Sequence, residues 1–178
     1  GTSAGAAMAC VVFADRIQEC KKIFLDKVSR NPRNFYPRNL LKNKPAFPHY
    51  EIYRNTIIES LDDGAFHNLK KGPEIRILIT RPPRYLGPRS ATFTGLVGYS
   101  IEKNIFKPMH PKAGMRMGFS SEVIPVSSCK SREEVADLIL QASCTPPFVP
   151  ILKRDGRIVL DGGIIDNVPL SAIYENSG

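Results

Sequence analysis

The chain opens on Gly1-Thr2-Ser3-Ala4-Gly5 and runs at once into an unbroken apolar stretch, Ala6 to Ala14, of helix-compatible composition. A serine between two glycines, ahead of a helix, is the form a nucleophile takes at a sharp strand-to-helix turn, where its hydroxyl is held up out of the backbone. The pattern predicts that a Cβ at either Gly1 or Gly5 would collide with the neighbouring strand or helix. Ser3 is then the candidate nucleophile, and the N–H of Ala4, the residue after it, is the candidate oxyanion donor. Glycine and serine are common enough that the pentapeptide needs a partner before it means chemistry.

That partner lies at the other end of the chain. Arg157-Ile158-Val159-Leu160 is a short apolar strand leading into Asp161-Gly162-Gly163, followed by Asp166-Asn167-Val168-Pro169. Asp-Gly alone is ordinary turn chemistry. In this order, G-x-S-x-G and then D-G-G-x-x-D-N-x-P, the chain resembles the patatin-like phospholipases. Three further stretches look like bacterial members of that family: Thr80-Arg81-Pro82-Pro83-Arg84, His110-Pro111-Lys112-Ala113-Gly114 and Ala142-Ser143-Cys144-Thr145-Pro146-Pro147-Phe148. The resemblance implies an α/β, three-layer sheet-and-helix fold and a Ser-Asp dyad in place of a triad. It implies lipid acyl hydrolysis, cleaving carboxyl esters of phospholipids or related acyl lipids with no cofactor and no metal. Ser3 would carry the acyl group, Asp161 would be the general base, and Gly162 and Gly163 would be the glycines of the acid motif.

Family members carry a glycine-rich oxyanion segment and a strand ahead of the nucleophile, whereas the sequence given starts at Gly1. The expectation is therefore a partial domain over residues 1–178, incomplete at its N-terminus. Each oxyanion donor is worth about 2.7 to 4 kcal/mol of barrier, so this fragment alone is expected to be inactive. A broader carboxylesterase or acyltransferase on the same dyad is the first alternative. A non-catalytic module that associates with membranes is the second.

A base is also needed, and the histidines bear on which one. None of His49, His67 and His110 follows Asp161, as the Ser, Asp, His order of α/β-hydrolases would demand. Asp161 would then take the Ser3 proton itself, and partial burial is expected to raise its pKa toward the working range of a base.

Charge and cysteine content narrow the remaining classes. The 25 Lys and Arg exceed the 17 Asp and Glu by 8. The excess sits in residues 1–48 and in the segment Arg76 to Arg116, away from Asp161. Anionic lipid is the partner this suits, each nearby cation contributing about 1 kcal/mol. Arg81, Arg84 and Arg89, in a proline-rich loop, are the cations expected to be exposed for that contact. Nucleic acid is not expected, since no recognition motif or aromatic-basic interleaving accompanies the charge. Cys10, Cys20, Cys129 and Cys144 lack metal-binding or redox spacing, and reduced thiols suit a cytoplasmic setting. Cys144 fits a small core residue better than a nucleophile. The longest apolar run, Ala4 to Ala14, stops at Asp15-Arg16, short of the roughly 20 residues of a membrane span. It has no basic leader of a signal peptide, and an export signal upstream of Gly1 is left open.

Periodicity places the motifs on elements. Cys10, Phe13, Ile17, Cys20, Phe24 and Val28 recur at helical spacing and predict one long helix from Ala6 to about Ser29. On such a helix Cys10 and Cys20 lie roughly 15 Å apart, too far for a disulfide. Asn31 to Pro48, with four prolines, reads as a loop and a candidate lid. Tyr50, Tyr53, Ile57 and Leu61 share a face of a second helix, ended by Asp62-Asp63-Gly64. Glu74 to Thr80 is a strand closed by Pro82-Pro83. Ser131 and Glu134 form a capping box for a helix carrying Val135, Leu138 and Ile139. Val149 to Lys153 and Arg157 to Leu160 form a hairpin turned at Asp155-Gly156, with Asp161 on its outgoing strand.

Overall fold

A computed structural model of the chain describes residues 1–40, 46–87, 90–91, 93–94, 117–146 and 149–166. In chain order these form α1 (Ser3–Phe13), α2 (Ile17–Ser29), α3 (Pro37–Leu40), α4 (His49–Ser60), α5 (Asp63–Lys71), β1 (Arg76–Arg81), β2 (Ser120–Pro125), α6 (Arg132–Gln141), β3 (Lys153–Arg154), β4 (Arg157–Ile158) and β5 (Leu160–Asp161). Short 3₁₀ turns follow β2, at Val126–Ser128, and β5, at Gly162–Ile164.

β1 is the centre of a three-stranded sheet of order β2-β1-β5. β2 pairs antiparallel along all of β1, from Arg76 opposite Pro125 to Arg81 opposite Ser120. On β1's other edge β5 covers only the far end, with Ile79 opposite Asp161 and Thr80 opposite Leu160. The near end of that edge takes Gly1, whose amino group donates to Arg76 O at 2.6 Å and whose carbonyl accepts from Leu78 N at 2.9 Å. Those two bonds flank Ile77 in the manner of a parallel pairing. One edge of β1 thus receives the chain entering Ser3 and, two residues along, the strand carrying Asp161.

The sheet is covered on both faces, as a strand with Ile77 to Arg81 all buried requires. Ile77 and Ile79 pack with Ala6 and Cys10 of α1, Ile57 of α4, and Val135, Leu138 and Ile139 of α6. Leu160 joins Ala91, Phe119, Ile164 and Ile165 in a second cluster. Asp161, opposite Ile79, lies on the first face, with the helices; Leu160, opposite Thr80, lies on the second.

The predicted long helix is two. α1 stops at Phe13 and α2 restarts at Ile17, with Asp15 in the left-handed region at φ 56°. Asp tolerates that conformation better than most residues, and of the spaced apolar residues Cys10 is buried while Phe13, Ile17 and Val28 are exposed, so the spacing does not mark one continuous buried face. Cys10 and Cys20 therefore sit on different helices, and all four cysteines are free thiols. Asp62-Asp63-Gly64 does more than end α4. The Asp62 carboxylate accepts from Ala65 N at 2.8 Å and starts α5, an element periodicity alone did not reveal.

Other expectations hold with adjusted ends. Ser131 Oγ accepts from Glu134 N at 3.3 Å, while the Glu134 carboxylate reaches back to Lys130 N at 2.8 Å, one residue beyond the N-cap N–H of the usual capping box. The β3–β4 hairpin turns at Asp155 (φ 51°) and Gly156 (φ 72°), the two positive φ values of a type I′ turn. Its strands are shorter than predicted, and the chain leaves the hairpin at Val159 to become β5. Asn31 to Pro48 contains α3 and closes on itself through Tyr36 N to Ala46 O at 2.8 Å and the Phe35–Phe47 ring contact. Its candidate role as a lid has no support in these contacts, none of which involves Ser3 or Asp161.

Arg81 departs furthest from expectation. It is the last residue of β1 and only 4% exposed, so it is not a loop cation available to a membrane. Pro82 and Pro83 are buried too, while Arg84 is exposed and Arg89 lies outside the described residues.

Candidate active site

Ser3 sits at the first position of α1 with φ 44°. A non-glycine residue in that region costs about 1 to 3 kcal/mol, and such strain is found where a side chain must be aimed. Two flanking hydrogen bonds hold it there: Leu78 N to Gly1 O before the turn, and Ser3 N to Ala142 O at 3.1 Å within it. The Ala4 N–H, at the N-terminal end of α1, has no backbone acceptor among the described residues. It stands at the positive end of the helix dipole, the place the sequence assigns to an oxyanion donor.

Asp161 comes from the opposite direction along the same edge of β1. Its N–H donates to Cys144 O at 2.8 Å, and its Oδ1 accepts from Gly163 N at 2.7 Å. The Ser3 side chain lies near enough to this carboxyl to lower its pKa. Burial pushes this carboxyl above its ordinary pKa, outweighing the Gly163 N–H and the Ser3 hydroxyl, which both pull it down. Neither described histidine takes part: His67 is exposed on α5, and His49 lies among the rings of Phe47 and Tyr53. His110 lies outside the described residues, as do Asn167, Val168 and Pro169.

The turn after α6 connects the two halves. The Ala142 carbonyl accepts both from Ser3 N and from Gly162 N, the latter at 3.4 Å, and Cys144 O accepts from Asp161 N. Ala142 and Cys144 are therefore the scaffold against which both loops are set, while Pro147 and Phe148 of the same stretch lie outside the described residues. Cys144 itself is fully buried, and burial pushes its thiol up to about 11, which removes it as a nucleophile at neutral pH.

The two motifs use their glycines differently. A Cβ at Gly162 would fall on the Leu78 carbonyl oxygen and lie 2.9 Å from Thr2 Cγ2, so the acid loop touches both β1 and the residue before Ser3. At Gly1 a Cβ would meet Ala6 N at 3.2 Å, a tight fit. At Gly5 nothing lies within 4 Å, so the expected collision there does not occur.

Among the described residues no cluster of His, Cys, Asp and Glu could hold a metal ion. A cleft of about 370 Å³ opens elsewhere, lined by Tyr50, Arg54, Asp137 and Lys153 among others, and includes neither Ser3 nor Asp161.

A helix-covered sheet that brings a serine in the left-handed region and a part-buried aspartate to one edge of its central strand defines an α/β protein. The chain belongs to the patatin-like phospholipase family, whose family model, described as Patatin-like phospholipase, matches residues 1–174. No curated protein and no solved structure matches the chain. Family membership supports lipid acyl hydrolysis and a lipid substrate. No described helix is long and apolar enough to cross a membrane.

Proposed function

We propose that the protein is a serine lipid acyl hydrolase that cleaves carboxyl esters of phospholipids or related acyl lipids through an acyl-Ser3 intermediate. The observation that carries this reading is the convergence of Ser3 and Asp161 beside one edge of β1, with Ser3 N and Gly162 N both donating to Ala142 O and the Ser3 side chain near enough to the part-buried Asp161 carboxyl to pull its pKa down. Asp161 takes the hydroxyl proton as Ser3 Oγ attacks the ester carbonyl, and the oxyanion gathers at the Ala4 N–H and the donors that complete the hole. The protonated Asp161 returns its proton to the departing alcohol. It then takes a proton from the water that attacks the acyl carbon, and gives that proton to Ser3 Oγ as the bond to the fatty acid breaks. A carboxylate held above its ordinary pKa by burial is a stronger base than one in water, which suits it to both half-reactions.

The test is an active-site titration of the intact protein with a p-nitrophenyl ester. A burst of one equivalent of nitrophenol, absent in Ser3→Ala, is expected. A steady rate equal in wild type and Ser3→Ala would remove the acyl-enzyme and leave the non-catalytic module. Comparing phospholipid with a short-chain ester separates the phospholipase from a broader carboxylesterase or acyltransferase. A cytoplasmic protein with peripheral contact to anionic membranes is the accompanying proposal. Its support is the exposed cations Lys21, Lys22 and Arg84; Arg81 is buried and takes no part.

A further inference from the structure

We infer that Arg81 is a positioning residue for Asp161, a role that rests on the dyad reading above. Arg81 lies two residues beyond Ile79, the partner of Asp161, and on the same face of β1. Its guanidinium is spent on the hairpin that precedes Asp161. Nη1 donates to Arg154 O at 2.9 Å and to Arg157 O at 3.2 Å, the two residues that bracket the Asp155-Gly156 turn. Nη2 lies 3.8 Å from the Asp155 carboxylate, and Nε donates to Glu122 of β2 at 2.6 Å. One buried side chain thus fastens both arms of the hairpin to the β1–β2 pair, four residues ahead of the carboxylate.

The hairpin needs such a fastening. β3 and β4 are two residues each and, among the described residues, pair as strands only with one another, with Gln141 of α6 adding one side-chain bond to Lys153 O at 3.2 Å. β5 adds only two ladder positions to β1. A ribbon this short does not hold its own place in water. The planar fork of arginine can bridge two carbonyls and a carboxylate at once, which a lysine ammonium on a flexible stem does not reproduce. With the hairpin loosened, β5 shifts along β1, Asp161 draws away from Ser3 and water reaches the carboxylate.

The experiment uses the intact protein and a soluble p-nitrophenyl ester. Arg81→Lys keeps a cation opposite Glu122 and with it the fold, Arg81→Met removes the cation, and Asp161→Asn is run in parallel. Arg54→Met is the control, because it breaks another partly buried ion pair, to Asp137 at 2.7 Å between α4 and α6. Both Arg81 variants are expected to lose about 10- to 100-fold in kcat with little change in KM. The acid limb of their kcat/KM profile should move down toward the ordinary carboxylate range as Asp161 hydrates. Arg54→Met should lower the melting temperature and leave kcat and that limb in place. Wild-type kcat and pH profile in the Arg81 variants, while Asp161→Asn is inactive, would overturn the inference and leave the dyad standing. An active Asp161→Asn would instead overturn the dyad and this inference with it. Equal losses in Arg54→Met, or failure of both Arg81 variants to fold, would make Arg81 a stability residue only.

Discussion

Gly162→Ala puts the closeness of the two motifs to a direct test. The added methyl would overlap the Leu78 carbonyl oxygen and stand 3.0 Å from its carbon and 2.9 Å from Thr2 Cγ2. Carbon atoms in contact rest about 3.5 to 4.0 Å apart, so the acid loop must retreat by roughly 0.5 to 1 Å. Neither neighbour can yield cheaply. Leu78 O belongs to the central strand, and Thr2 is buried one residue before Ser3. Overpacking of this kind costs about 1 to 3 kcal/mol of stability. The retreat also carries Asp161 away from Ser3, and a 1 Å misplacement at a reacting centre is worth about 10²-fold in rate. Gly5→Ala is the matched comparison, because a Cβ there meets nothing within 4 Å and the site is helical. Alanine in a helix is favoured over glycine by about 0.5 to 1 kcal/mol, so that variant should gain slightly in stability. The assay is urea unfolding together with ester hydrolysis for both variants. Wild-type stability and rate in Gly162→Ala would refute the close approach on which the site is built.

Further outcomes are expected at single residues. Ser3→Ala and Asp161→Asn should each remove about 10²-fold or more of turnover, and the double variant should lose little beyond the worse single one, as kinetics of the three proteins would show. Asp161→Asn should also change the dependence of stability on pH. Because the folded carboxyl pKa is raised, the folded state keeps a proton that the unfolded state has released, so wild-type stability falls as pH rises through that window. Asparagine removes this fall: its advantage in melting temperature should be present at pH 7 and vanish below the ordinary carboxylate range. Thr80 Oγ1 is buried with no hydrogen-bond partner among the described residues, so Thr80→Val should stabilise by about 1 kcal/mol in a denaturant melt. Binding to vesicles should rise with anionic lipid and fall with salt, and charge reversal at Lys21, Lys22 and Arg84 should weaken it; salt-insensitive binding would remove the electrostatic contact.

What could be read from the chain itself was local chemistry. The pentapeptide around Ser3, the Asp161-Gly162-Gly163 run, the Ser131 cap and the Asp155-Gly156 turn are short patterns whose conformations depend on their own residues, so each was legible before folding. The family resemblance adds the pairing of the two motifs, but no local rule says that a residue at one end of the chain touches one at the other. That contact is decided by β1, a strand whose one edge takes Gly1 and β5 end to end, and by the Ala142 carbonyl that accepts from both loops. The same limit explains the misreadings. Helical spacing runs through Asp15 because two consecutive helices each carry it, and spacing alone does not report whether the axis is continuous. Arg81 looked like a loop cation because charge and flanking prolines predict exposure on average. Only the tertiary structure supplies the Glu122 carboxylate and the two hairpin carbonyls that make burying a guanidinium favourable. Gly5 and Gly162 are identical in sequence terms, and what a methyl group would meet at each is fixed by neighbours distant in the chain.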